Sequence, residues 1–458
     1  MTETEQNFLA KSAIRSADLD HRRKINFNIG KYNAKVPEGK MQFAELETAK
    51  EHAKNIKWRA IEKLDERLEE FERRFTQNGG KVIWAENGDE AVAAVLEICK
   101  ANNCTRLVKS KSMVTEEINL NKALEKSGIE SVETDLGEYI QQLDGEAPYH
   151  IVTPAMHKSK EDVAKLFHEK LGTPINLTPV ELTQVARVTL REKYVQASVG
   201  VTGANFILSD VGGIAITENE GNARLSAGFP KIHIVIAGIE KMIPSISDLA
   251  LFWPLLSTYG TGQKLTVYNT IITGPKKSTE TDGPEEMYVI LLDNGRTNIL
   301  ADPKQRESLY CIRCGACLNV CPVYKNIGGH AYGATYSGPI GSVITPNLQG
   351  MDEYKHLSYA SSLCGACTQV CPVKINLHEL LLENRHGAVK GGLGSFSEKM
   401  AWKLWKIASL RRGIMNMGNG NLKNKVVNSI FKGWKQHRTE LEFSPKTFNE
   451  LWKERYKK

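Results

Sequence analysis

Within residues 43–75, Ile61, Leu64, Leu68, Phe71 and Phe75 recur three and four residues apart, so one face of a long helix is apolar and the charges between them face water. Gly79-Gly80 ends it. Two heptads are too short for a coiled coil, and this face is expected to dock on the domain that follows rather than on a second copy. From residue 81 short apolar runs alternate with amphipathic ones. Strands are expected at 81–85, 106–109, 131–134 and 150–153, with helices at 90–102 and 116–126 between them. This βα rhythm predicts a largely parallel sheet covered by helices. A helix at 179–197 precedes β-branched runs at 206–208, 213–217, 232–237, 265–272 and 287–292, so the rest of this α/β domain is expected to be strand-rich and to end near Gly295. The pattern divides the chain into an N-terminal helical region, 1–76, the α/β domain, 77–298, a cysteine-bearing helical unit, 299–388, and a C-terminal extension, 389–458.

Charged residues at 25% and hydrophobic ones at 41% exclude wholesale disorder and fibrous repeats. The longest apolar runs, 232–239 and 249–256, fall far short of the roughly 20 residues of a spanning helix. The acidic start, Met1-Thr2-Glu3-Thr4-Glu5, leads into no secretory-type apolar stretch, and Arg22-Arg23 is followed by a run broken by polar residues, which reads as a solvated pair. The expected compartment is the cytoplasm, where clustered cysteines point to metal or redox chemistry. From Gly391 onward 15 Lys and Arg stand against 5 Glu and no Asp, a local +10 on a chain of net +7, so the body before it is slightly acidic at −3.

Seven of the nine cysteines lie between Cys311 and Cys371. Cys311, Cys314, Cys317 and Cys321, followed by Pro322, have the C-x2-C-x2-C-x3-C-P spacing that holds cubane clusters in bacterial ferredoxins. Three thiolates at three-residue steps wrap one cluster, and the fourth turns toward a second. Zinc sites use two separated C-x2-C knuckles instead. Cys364, Cys367 and Cys371, followed by Pro372, repeat the last three positions with the same Cys-Gly-Ala-Cys core, and Ser361 stands where Cys311 has its equivalent. By the crossed ligation rule, Cys311, Cys314, Cys317 and Cys371 are expected to hold one [4Fe–4S] cluster. Cys321, Cys364 and Cys367 are expected to hold a second, one thiolate short. That second site takes a [3Fe–4S] cluster, a [4Fe–4S] cluster whose last iron is met by Ser361, water or a partner residue, or a site completed by substrate. Between the motifs, residues 327–341 carry five glycines and one proline and are expected to form an irregular loop, with His330, Tyr332 and Tyr336 as candidate redox participants.

At these residues the chain resembles the lactate-utilization protein B family, the iron–sulfur subunit of a bacterial L-lactate-oxidising system. The resemblance rests also on the runs from Val108 to Glu117, from Glu133 to Ile140, from Gly203 to Phe206, from Asn219 to Arg224 and from Gly329 to Gly333, and it covers nearly the whole chain. It implies a lactate-utilization domain at roughly 75–295 with a fold similar to the ribose-5-phosphate isomerase and CoA-transferase group, followed by an α-helical ferredoxin-type two-cluster domain and a helical basic tail. It further implies two partners, a cysteine-rich redox subunit and a shorter subunit built on the same α/β domain, and electron transfer during oxidation of L-lactate to pyruvate. It assigns no catalytic residues.

Other features are weaker. Asn219-Glu220-Gly221-Asn222-Ala223-Arg224 suits a loop in which Arg224 either holds a carboxylate in a bidentate pair or is tied to Glu220; Lys231 and His233 share one strand face nearby. No nicotinamide fingerprint is present. Cys99 and Cys104 read as buried free thiols. In the tail, Phe396, Met400, Leu404 and Ile407 mark an apolar helix face among basic residues and Trp402 and Trp405, a pattern that suits packing on the body, an acidic redox partner, or the inner face of the cell membrane. No nucleic-acid motif accompanies it. The alternative to an electron-transfer subunit is a self-contained oxidoreductase whose α/β domain binds a carboxylate or thioester.

Overall fold

The computed structural model describes residues 1–430 and 438–456. They form two compact units, Met1–Ala388 and Val389–Lys458.

The larger unit is built on a six-stranded parallel sheet: β1 (Lys81–Ala85), β2 (Arg106–Lys109), β3 (Glu130–Glu133), β4 (Val199–Thr202), β7 (Ile232–Gly238) and β10 (Glu286–Leu292), in the order β1-β10-β7-β4-β2-β3. Both faces are covered, which is why its central strands read as unbroken apolar runs. Ile232, Ile234, Ile236, Ile290 and Leu292 pack with Val95 and Leu124 on one side, and Val235, Ala237, Val289 and Leu291 with Leu68, Phe71 and Phe75 on the other. A second sheet, β8-β5-β6-β9, lies alongside: β5 (Phe206–Leu208) and β6 (Gly213–Glu218) are antiparallel, as are β6 and β9 (Tyr268–Ile272), while β8 (Met242–Ile243) runs parallel to β5.

The structure corrects four expectations. The helix expected across 43–75 is two, Leu46–Glu62 and Leu64–Gln77, because Lys63 leaves helical geometry (φ −121°, ψ 38°). The break lets Ala53 and Ile56 face the core around the cysteine motifs while Leu64 to Phe75 face the sheet. The helix expected at 116–126 is likewise split, at Asn119 (φ 52°), a conformation asparagine tolerates.

No strand forms at 150–153. There the His150 ring accepts from the backbone N–H of Val152 (3.0 Å) and Thr153 (3.3 Å), a local turn that takes donors a ladder would need. The glycine-rich stretch 327–341 is not all loop either: Gly338 opens a helix, Gly338–Gln349, with Pro339 in its first turn where no N–H is needed. Gly341 is required inside it because a Cβ there would lie 2.1 Å from the Tyr336 carbonyl oxygen. The strand β4, not anticipated, is fully buried at the centre of the sheet; a Cβ on Gly200 would meet the Ser226 carbonyl at 1.8 Å, so only glycine lets the helix Asn222–Gly228 lie this close.

In the smaller unit the helix Phe396–Leu410 buries none of its residues, and Phe396, Met400, Leu404 and Ile407 are all exposed. Trp402 and Trp405 meet edge to face at 5.6 Å. Trp434 lies outside the described residues. Among those described, no helix is long and apolar enough to cross a membrane.

Candidate metal centre

Each cysteine motif is a loop turning into one helical turn, Ala316–Val320 in the first and Ala366–Val370 in the second. The two backbones repeat each other. Arg313 and Leu363 both take positive φ (60° and 54°), as do Gly315 and Gly365 (78° and 79°). The Arg313 N–H donates to Cys311 Sγ at 3.4 Å, and the equivalent Leu363 N–H donates to Ser361 Oγ at 3.1 Å. Ser361 thus occupies the place of Cys311 in a duplicated fold, with oxygen for sulfur.

The seven thiols fall into two groups by the charges they exert on one another. Cys314 is acted on by Cys371 and Cys311, Cys317 by Cys311, Cys314 and Cys371, and Cys371 by Cys311. Cys321 is acted on by Cys364, and Cys367 by Cys321 and Cys364. Tertiary packing therefore carries Cys371 across to the first motif and Cys321 to the second.

Burial pushes the Cys314, Cys317 and Cys321 thiols up, Cys371 to about 12 and Cys367 to about 11. Thiols so placed stay protonated unless a metal supplies positive charge in exchange for their protons. Backbone donors wait at Cys321 Sγ (Tyr324 N–H, 3.5 Å) and Cys371 Sγ (Ile375 N–H, 3.4 Å). Soft sulfur donors, few other ligands and a buried setting fit iron–sulfur clusters. Cys364 is exposed, and a backbone N–H from Ala366 lowers its pKa, so the second group reaches the surface while Cys314, Cys317 and Cys371 are buried.

Beside the first motif lies a buried ion network absent from the sequence reading. Arg296 donates through Nη1 and Nη2 to both oxygens of Glu117 (2.9 and 2.8 Å) and through Nε to Glu240 (2.5 Å). Glu240 also accepts from Arg313 Nη2 at 3.3 Å, and Glu117 from the Tyr336 hydroxyl at 2.6 Å. The pairing of acidic, basic and tyrosine positions 56 to 219 residues apart left no local signal.

A cleft of about 260 Å³ opens next to it at the carboxyl ends of β2, β4 and β7. Its lining includes Lys111, Gly203, Lys241, Arg313 and Cys314, together with Asp135, Glu218 and Glu220. The loop at 219–224 does reach this cleft, but Arg224 lies over the Tyr268 ring (5.4 Å to its centroid) and is not ion-paired with Glu220, whose carboxylate instead accepts from the Leu136 N–H at 3.1 Å. Lys231 is exposed opposite Glu285, and His233 is buried against the Thr202 hydroxyl at 2.8 Å. His330 Nε2 bonds the Ala147 carbonyl at 2.7 Å, and Tyr332 and Tyr336 are buried. Cys99 and Cys104 are buried together.

Residues 68–292 match the LUD domain and residues 307–375 the 4Fe-4S dicluster domain. Lactate utilization protein B of Bacillus velezensis is 47% identical over 370 residues, which covers 80% of this chain and 78% of that protein. The protein of the same name from Bacillus subtilis is 45% identical over 369 residues (80% and 77%), and that from Bacillus cytotoxicus 43% identical over 421 residues (89% and 88%).

The chain belongs to the lactate utilization protein B family. An α/β domain with a parallel sheet followed by an iron–sulfur dicluster domain is the architecture of this family member. A crystal structure of a DUF162 family protein from Deinococcus radiodurans covers 50% of this chain and 98% of its own at 14% identity and a TM-score of 0.29, a likeness too slight to carry any argument.

Replacing Ser361 with alanine is expected to leave iron content and EPR spectra of anaerobically prepared protein unchanged, because a hydroxyl is a harder and less acidic ligand than the thiolates around it. Loss of one cluster spectrum in this variant would make Ser361 a ligand.

Proposed function

We propose that this chain is the iron–sulfur electron-transfer subunit of a multi-subunit system that oxidises L-lactate to pyruvate. The observation that carries the reading is the grouping of the seven thiols into one set of four, of which Cys314, Cys317 and Cys371 are buried and Cys311 half-buried, and one set of three that reaches the surface at Cys364. Cys311, Cys314, Cys317 and Cys371 hold a [4Fe–4S] cluster; Cys321, Cys364 and Cys367 hold the second, of [4Fe–4S] or [3Fe–4S] type. When bound, these clusters supply one-electron steps for a substrate that releases two electrons. The residues of the chain hold the two sites close through the exchanged cysteines, shield the first from water, and leave the second near the surface for a partner.

The domain division at 76, 298 and 388, the ribose-5-phosphate isomerase-like and CoA-transferase-like character of the α/β domain, the cysteine-rich and short lactate-utilization partners, and a cytoplasmic location all belong to this reading. Within the tail, the exposed apolar face of Phe396–Leu410 among lysines suits an acidic redox partner or the inner surface of the membrane.

The test is co-purification from the native cell under anaerobic conditions. Addition of L-lactate to the complex is expected to reduce both clusters by EPR, while the isolated chain shows no turnover with lactate and a dye acceptor. Turnover by the isolated chain would establish the self-contained oxidoreductase instead, and an unreduced complex would remove the lactate relay.

A further inference from the structure

The cleft at the carboxyl ends of β2, β4 and β7 gathers cationic and acidic side chains, several of them buried, around one small space. In open parallel α/β sheets ligands bind outside the carboxyl ends of the strands. Here three neighbouring strands contribute, through the segment following Lys109, through Gly203 to Asn205, and through Lys241. The volume, about 260 Å³, lies just below the roughly 300–1,000 Å³ of sites for drug-sized ligands, which suits a small molecule and excludes a dinucleotide.

Two cations at one end of the cleft are short of partners. Lys241 is only 7% exposed, yet among the described residues its ammonium makes no hydrogen bond or ion pair. Arg313 spends Nη2 on Glu240, but its Nη1 is buried without any acceptor. Glu240 is the carboxylate nearest both, yet it is already shared with Arg296, so a buried guanidinium N–H and the Lys241 ammonium are left facing the cleft with donors to spare for an anion. Burial and the neighbouring Arg313 push the Lys241 amine down to about 8, against the opposing pull of Glu240. The same cleft is lined by Asp135, Glu218 and Glu220. Burial, then Asp135, raises the Glu220 carboxyl to about 7, which leaves it able to donate or accept a hydrogen bond near neutrality.

Of the four thiols in the first group only Cys314 lines the cleft; Cys311, Cys317 and Cys371 do not. The space is therefore separate from the cluster's own and shares one wall with it.

We propose that this cleft binds a small organic carboxylate, with the carboxylate held by Lys241 and Arg313 and the rest of the ligand hydrogen-bonded by other lining groups, Glu220 among them. The ligand lies against the loop that carries Cys314. This goes beyond the relay reading, which needs no small-molecule site on this chain; only the choice of probes below rests on it. No bond is made or broken in the binding step.

The test is calorimetric titration of the anaerobic, cluster-loaded full chain with L-lactate, pyruvate and 1,2-propanediol. Both acids are expected to saturate a single site and the diol, which lacks the carboxylate, to give no saturation. Lys241→Gln is expected to weaken acid binding by about tenfold or more with cluster absorption unchanged, and Lys241→Arg to restore most of it. A wild-type protein that fails to bind either acid, a diol that binds as well, or a Lys241→Gln protein that binds equally would overturn the proposal. So would variants that only shift the first cluster's potential, because the cations would then serve the cluster. Should Lys241→Gln not retain its clusters, acylation of the wild-type chain read by mass spectrometry decides: lactate is expected to protect Lys241 relative to the exposed Lys231, and equal labelling of Lys241 with and without lactate overturns the assignment. Since this experiment reads binding and the co-purification reads electron flow, either can fail alone.

Discussion

Arg296→Met is expected to destabilise the Met1–Ala388 unit by about 3–5 kcal/mol, the usual cost of removing one partner from a buried ion network. Arg296, Glu117 and Glu240 have side chains 1%, 0% and 1% exposed, so methionine fills much of the space but leaves Glu117 buried with only uncharged donors and Glu240 with Arg313 alone. The network also ties the helix after β2, the turn after β7 and the helix after β10 to Arg313 in the first cysteine motif. Cluster retention is therefore expected to fall with stability.

The pH dependence separates lost charge from lost packing. Burial alone would raise the Glu240 carboxyl, but Arg296 and Arg313 outweigh it and hold it at about 2, against an ordinary 4.5. A depressed folded-state pKa gives stability that is full above about 4.5 and lost as pH falls through about 2. Over pH 5 to 7 the wild type should thus be insensitive to this group. Without Arg296 the carboxylates titrate higher, protonation relieves them, and the variant's deficit should be smaller at pH 5 than at pH 7. Anaerobic guanidinium denaturation at the two pH values measures this. A deficit under about 1 kcal/mol, or one independent of pH, would mean that the network contributes little more than packing.

The second large effect is expected at Cys371. Although it ends the second motif, it sits with Cys311, Cys314 and Cys317, so Cys371→Ala should remove the same EPR spectrum as Cys317→Ala and about half of the bound iron. Cys321→Ala should remove the other spectrum, together with Cys364→Ala and Cys367→Ala. If Cys371→Ala and Cys364→Ala instead lost the same signal, each motif would be holding its own cluster and the exchange of ligands would be wrong.

What could be read along the chain was local. The runs that form β7 and β10 stand out because a strand buried on both faces is apolar along most of its length, whichever neighbours it meets, while β1 and β2 are marked by short β-branched and aromatic runs between helices. β4 gives no such signal, because Val199-Gly200-Val201-Thr202 is short and interrupted by a glycine whose purpose, clearance for Ser226, lies in another element. The misread strand at 150–153 failed in the opposite way: its composition suited a strand, but the His150 side chain captured the backbone donors. Gly338 and Gly341 looked like loop residues because their crowding against Leu318 and Tyr336 is invisible in sequence.

The same division runs through the site. By itself the sequence determined the cysteine spacing, the duplicated Cys-Gly-Ala-Cys loops, the serine in place of one thiol, and the basic tail, because each depends on residues within one or two turns of one another. Only the tertiary structure decided which thiols sense each other, that Glu117, Arg296 and Glu240 form one buried network, and that Lys241, Arg313 and Glu220 share one cleft. Those groups are far apart in the chain and are brought together by the strand order of the parallel sheet. Their energetics come from burial and unmatched charge, which exist only after the chain has closed around them.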